Sequence, residues 1–412
     1  MNGPLDGVRV VEVGVWHAGP GAGAILGDLG ADVIKIESPS RDPERTGLGS
    51  TVLRTQDVDD DDWNVLFDLS NHSKKSLSID VASKVGRDVV RRLVAVSDIF
   101  ITNLRPPTKR KLGVDFETLA VVNPDLIHIN VTGFGSMGEK ADDGAFDTLG
   151  QAASGIMWVM ADDSPVPLPS LTVDHLTATM AANAAITALL GRMRGGGGTD
   201  VHVSLYGAGT WLFYGWLASA GALGRNPDLR YNRKRRSPML SVFECADGKW
   251  IVGTNPGTRP WPKFCEAIGR NDLIGGGLDL TDLDGLEKLY DELAPVFRTR
   301  TAAEWTNDVF VPRGIMFAPV QTFLDVLGDP QARVNDYVVP LNHPVLGDIT
   351  MPSYPVRFGA YDVKRRENAA PRLGEHNEEI LGLIGLTQAD IEAPQSMPVP
   401  SLHGPVSDNA PE

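Results

Sequence analysis

Short β-branched runs, broken by glycine-rich turns and amphipathic stretches, organise the first two hundred residues. Val8-Arg9-Val10-Val11-Glu12-Val13 lies between glycines and reads as a buried strand. Gly19-Pro20-Gly21-Ala22-Gly23 reads as a Gly-rich turn, followed by a short helix through Ile25, Leu26 and Leu29 that Gly30 stops. Ala31 to Glu37 is a second strand ending in an acid, the outline of a nucleotide-binding βαβ unit. Further strands are predicted at Ser76–Asp80, Asp98–Thr102, Leu126–Val131 and Val201–Leu205. Helical periodicity marks Ser83–Val96, and a helix rich in Ala, Thr and Met runs from Leu176 to Arg194.

Near Arg225 the pattern changes. Asn226-Pro227, the basic run Arg233–Arg236 and Ser237-Pro238 break the alternation. A hairpin signal follows, with Val242–Cys245 and Trp250–Gly253 flanking Ala246-Asp247-Gly248-Lys249. Helices are predicted around Trp261–Ile268 and Leu286–Arg298. The expected fold class is therefore α/β, a Rossmann-like large domain with a smaller α+β domain. The boundaries read as 1–200 for the first part of the large domain, 201–225 for a linker and 226–335 for the small domain; 336–387 is a linker and return to the large domain, and 388–412 a loosely ordered tail.

Composition narrows the function. The formal charge of −15 over 412 residues argues against a nucleic-acid partner, which needs a broad basic face. Asp57 to Asp62, interrupted only by Val58, reads as a solvated loop. No apolar run approaches the ~20 residues that span a bilayer, and no signal peptide is visible at the N-terminus, so the expectation is a cytoplasmic protein with no membrane partner. Cys245 and Cys265 stand apart from any metal-ligand spacing, so neither a metal site nor a disulfide framework is expected.

The glycines invite a dinucleotide reading, with Glu37 on the ribose. The spacing opposes it, because the third glycine arrives one residue early for G-x-G-x-x-G. Pro20 also removes an N–H from the turn that would cradle a pyrophosphate.

A more specific likeness runs along the whole chain. Pro4-Leu5-Asp6-Gly7-Val8-Arg9-Val10, His17-Ala18-Gly19-Pro20 and Leu29–Glu37 resemble the start of class III CoA-transferases, the family of formyl-CoA transferase and carnitine CoA-transferases. Asn71-x-x-Lys74-Lys75-Ser76-Leu77, Asn103-Leu104-Arg105-Pro106 with Lys111-Leu112-Gly113, and Asn123-Pro124-Asp125 are similar to its next blocks. Gly133-Phe134-Gly135, Phe146-Asp147, Gly314-Ile315, Asp329-Pro330-Gln331 and Leu373-Gly374-Glu375-His376 follow in the family's order.

The resemblance implies a nucleophilic aspartate at Asp174, ahead of the small-residue helix, attacking an acyl-CoA to form a mixed anhydride and then an enzyme thioester. An aspartate at a helix start also serves as a plain N-cap. In either role the helix terminus is expected to keep Asp174 ionised. The resemblance further implies CoA contacts at His17, Ala18, Asn71, Lys74, Lys75, Asn103, Leu104, Arg105 and Lys111, and active-site places for Asp147 and His175. It implies no permanently bound cofactor, with coenzyme A and acyl-CoA as substrates and a carboxylic acid as acceptor. Its fold implies an interlocked homodimer.

Two alternatives stay open. α-Methylacyl-CoA racemase shares the fold, but the position of its catalytic histidine holds Phe146, which moves no proton. A catalytically inactive CoA-binding protein is the other. The chain also departs from formyl-CoA transferase in lacking its glycine-rich loop at 226–260 and in carrying Ser38 where a CoA-contacting arginine stands.

Overall fold

The computed structural model describes residues 3–45, 64–159, 164–227, 232–255, 257–361, 363 and 368–392. The acidic run at 57–62 lies outside the described residues, as does the tail from 393.

Six parallel strands form the main sheet: β1 (Arg9–Val13), β2 (Asp32–Glu37), β3 (Lys74–Ser78), β4 (Ile99–Thr102), β5 (Ile127–Thr132) and β6 (Thr199–Ser204). Their order is β3-β2-β1-β4-β5-β6. The apolar strands β1, β2, β4 and β5 are buried almost throughout, with helices on both faces, while the edge strand β6 is partly exposed. One face packs α1 (Ala18–Asp28) and, further along the chain, a 22-residue helix; the other packs the helix of residues 84–95.

The helix of residues 84–95 is α3 (Lys84–Ala95) and the 22-residue helix is α8 (Thr172–Met193); shorter helices between the strands are α2 (Val65–Asn71), α4 (Pro106–Leu112), α5 (Phe116–Ala120), α6 (Asp147–Ala153) and α7 (Ile156–Val159). Ser83 caps α3 by accepting the Gly86 N–H, and Gly113, with φ +69°, closes α4.

The structure corrects two readings. The Gly-rich stretch 19–23 is not a turn but the opening of α1. Pro20 fits there because the N–H groups of a first helical turn have no intrahelical partner. The glycines serve packing: a Cβ on Gly23 would lie 2.3 Å from Glu12 Oε2, and one on Gly21 would lie 3.0 Å from Ala178 Cβ of α8. Residues 201–225 are not a linker either. They complete β6 and form α9 (Leu205–Leu212) and α10 (Tyr214–Leu223), whose exposed apolar side chains hide the helical pattern from a core-seeking reading.

The chain divides into two compact units, residues 1–227 with 335–412, and residues 228–334. In the first, β3 is bonded at its outer edge by the returning chain, where Asn377 Oδ1 accepts the Ser78 N–H and Ser76 Oγ accepts the Gly374 N–H. The second unit holds β7 (Val242–Glu244), β8 (Trp250–Gly253) and β9 (Phe317–Pro319) in an antiparallel sheet, with α11 (Trp261–Ala267) and α12 (Leu283–Phe297). Its core is a stack of aromatic rings, with Phe243 and Phe297 centroids 3.9 Å apart.

Candidate active site

The order of the main sheet reverses between β1 and β4, and the loops leaving the carboxyl ends of such strands bound a ligand crevice. A cleft of about 640 Å³ lies there. Val15, Trp16 and Ala18 line it from the end of β1, Asn103 to Pro106 from the end of β4, and Val131 to Gly133 from the end of β5. Phe146, Asp143 and Asp174 complete the wall.

Local chemistry holds these loops. Asn103 closes a two-way bond with Val15, accepting its N–H and donating to its carbonyl, which ties the β1 and β4 loops to each other. Trp16 takes φ +63° and packs edge-on against Phe146, with centroids 5.5 Å apart. Below the cleft, Lys74 Nζ donates to Glu12, to the Pro20 carbonyl and to Asn71, tying α1 to β1 and β3. Burial draws the Lys74 ammonium down to about 8, against the pull of Glu12.

Asp174 sits in the first turn of α8, whose N-cap residue Leu171 has no polar side chain. The cap comes from elsewhere. Asp147, itself buried, accepts the N–H groups of Val173 at 2.7 Å and Asp174 at 3.0 Å through Oδ1. Its Oδ2 accepts from Gln151 at 2.5 Å. The donors that would hold Asp174 ionised are thus taken by its neighbour. Burial, and secondarily the Asp147 charge, push the Asp174 carboxyl up to about 7. The expectation of a fully ionised Asp174 is therefore overturned.

The remaining predicted residues separate into those that face the cleft and those that brace it. Ala18, Asn103, Leu104, Arg105 and Asp174 line it. His17, Asn71 and Lys74 are buried beneath it, and Lys75 pairs with Asp32 and Glu379. Lys111 is exposed on α4, and His175 is exposed beside Asp174. His17 bridges two partners, Ser70 Oγ at 2.7 Å and His175 Nδ1 at 3.2 Å. Glu37, the acid of the dinucleotide reading, accepts a forked bond from buried Arg45 and a third from Ser76. Sequence reading missed Ser70 and Glu44, whose significance lies only in what they touch. Among the described residues no group of His, Cys, Asp or Glu is placed to hold a metal ion, and no helix is long and apolar enough to cross a membrane.

A Rossmann-ordered sheet with a carboxylate-bearing crevice at its switch point marks an α/β protein with a ligand site at the carboxyl ends of its strands. The chain belongs to CoA-transferase family III, whose model matches residues 5–377. It is 30% identical over 394 residues to succinyl-CoA–D-citramalate CoA-transferase of Chloroflexus aurantiacus, covering 94% of this chain and 96% of that protein. It is 31% identical over 405 residues to cinnamoyl-CoA:phenyllactate CoA-transferase of Clostridium sporogenes, covering 94% and 95%. A CaiB/BaiF family protein from Brucella suis has the same fold, with a TM-score of 0.82 at 27% identity over 93% of this chain and all of that one. The protein is an enzyme of the CoA-transferase class.

Proposed function

We propose that the enzyme moves CoA between carboxylic acids through covalent intermediates on Asp174. The Asp174 carboxylate attacks the donor thioester, the C–S bond breaks, and CoA thiolate leaves a mixed anhydride. The thiolate attacks the aspartyl carbonyl and releases the donor acid, giving an aspartyl-CoA thioester. The acceptor carboxylate then attacks that thioester, and the returning thiolate forms the new acyl-CoA and frees Asp174.

One observation carries this reading: of the two carboxylates on the cleft wall, Asp143 is exposed while Asp174 is partly buried and raised toward neutrality. A carboxylate poorly stabilised by its surroundings is a better nucleophile, and a sheltered site protects the anhydride from water. Ala18, Asn103, Leu104 and Arg105 are the proposed CoA contacts, with Arg105 offered to a phosphate. Succinyl-CoA is the first donor to test, with citramalate, glutarate and aryl hydroxy acids as acceptors, the chemistries named for the relatives.

The proposed assembly is an interlocked homodimer. Trp211, Tyr214, Trp216 and Leu217 expose a large apolar face on α9 and α10, of the kind that subunit contacts cover.

The test is a chromatographic assay of CoA esters over a panel of donors and acids. New acyl-CoA formed by the wild type, and reduced about 10³-fold or more in Asp174→Asn, supports the proposal. Exchange of the α-proton in D2O without transfer would replace it with racemase chemistry. CoA binding with neither activity would leave a CoA-binding protein.

A further inference from the structure

Phe146 and Leu149 are large, apolar and 61% and 49% exposed, and both line the cleft that holds Asp174. They stand three residues apart at the opening of α6, a spacing that puts them on one face. The residue after Phe146 is Asp147, which caps the turn carrying Asp174. Leu205 continues this wall, because α6 lies so close to α9 that a Cβ on Gly150 would come 2.8 Å from Leu205 Cβ.

Trp16 meets Phe146 edge-on from the end of β1. Its backbone, at φ +63°, occupies a region that bulky side chains rarely adopt. Buried charge holds it there. Asp42 accepts the Trp16 N–H at 3.2 Å and pairs with the fully buried Lys35 at 3.0 Å.

We propose that Phe146, Leu149, Leu205 and Trp16 form the acyl wall of the site, and that this wall selects monocarboxylic acids with branched or aromatic apolar tails over dicarboxylic acids. The proposal rests on the CoA-transfer reading above and narrows its acids.

The two sides of the cleft differ in chemistry. The α4 side offers the Arg105 guanidinium and the Thr108 hydroxyl, while the α6 side offers hydrocarbon. A thioester carbonyl set against Asp174 carries two substituents, the CoA sulfur arm and the acyl chain. The arm bears amides and phosphates and matches the polar side; the chain is left to the apolar wall. A branched or aromatic tail gains there by burying apolar area, and a ring adds edge or offset stacking on Phe146. A second carboxylate in the same place would shed its water without meeting a donor on Phe146, Leu149 or Leu205. Asp143, three residues before Phe146, sets a like charge on the same cleft.

The test is isotope exchange between each acyl-CoA and its own 13C-labelled acid, so that one acyl group is followed at a time. 4-Methylpentanoyl-CoA and succinyl-CoA differ only at the tip, where an isopropyl group replaces a carboxylate of the same shape. Wild-type kcat/KM should favour 4-methylpentanoyl-CoA about tenfold or more, with 3-phenylpropanoyl-CoA behaving like it. Phe146→Ala should cut that ratio about tenfold, and Phe146→Arg should bring it below one. The ratio is unaffected by a loss of folded protein, which lowers both rates together. A wild type that favours succinyl-CoA, or a ratio that neither variant moves, would overturn the proposal; the second result would place the ring along the part of CoA common to all the esters. A wild type that exchanges no ester defeats the CoA-transfer reading instead. Calorimetric binding of the same esters then judges the wall: tighter binding of 4-methylpentanoyl-CoA, lost in Phe146→Ala, upholds it, and equal binding overturns it.

Discussion

At the start of α8 two carboxylates share one set of backbone donors, and only Asp147 receives them. The consequence is a pH profile. Asp174 must be ionised to attack, and its carboxyl titrates near 7, so kcat/KM should rise with pH through that value and level off above it. Asp147→Asn removes the smaller of the two raising influences, and the rising limb should move to lower pH without returning to the ordinary carboxylate range. Asp147→Ala also loses the cap and should destabilise the protein by about 1 kcal/mol, read by urea denaturation. The place of Asp174 at the opening of the small-residue helix was legible in the sequence; its raised pKa was not. That value depends on Asp147, 27 positions away, capping the helix that Leu171 cannot.

The elements show the same division between pattern and contact. β1, β2, β4 and β5 were legible as β-branched runs because parallel strands are buried on both faces. α1 was half hidden, since Gly19, Pro20, Gly21 and Gly23 carry turn propensity, and tertiary packing overrides it. The reason is visible in the space around Gly23, where Glu12 and Lys74 approach. Gly23→Ala should gain helix propensity yet lose stability by about 1–3 kcal/mol, because the new methyl parts the Glu12–Lys74 pair. A Gly23→Ala variant as stable as wild type in thermal unfolding would refute that packing account.

For the whole molecule, composition excluded nucleic acid and membrane as expectations, while periodicity outlined an α/β chain with a change of character near Arg225. The strand order and the cleft at its reversal depend on long-range pairing, which no local pattern encodes. Residues 201–225 were misread because α9 and α10 place large apolar side chains outward. If a second copy covers that face, the double variant Trp211→Asp, Leu217→Asp should sediment as a monomer in analytical ultracentrifugation and lose activity. A dimer that withstands both changes would place the interface elsewhere.

The most direct measurement is covalent trapping on Asp174. The protein is turned over with acyl-CoA donors, quenched with hydroxylamine and mapped by mass spectrometry. The account predicts a hydroxamate on Asp174 that depends on donor and is absent from Asp174→Ala. Transfer activity with no adduct at Asp174, or an adduct on another residue, would contradict it.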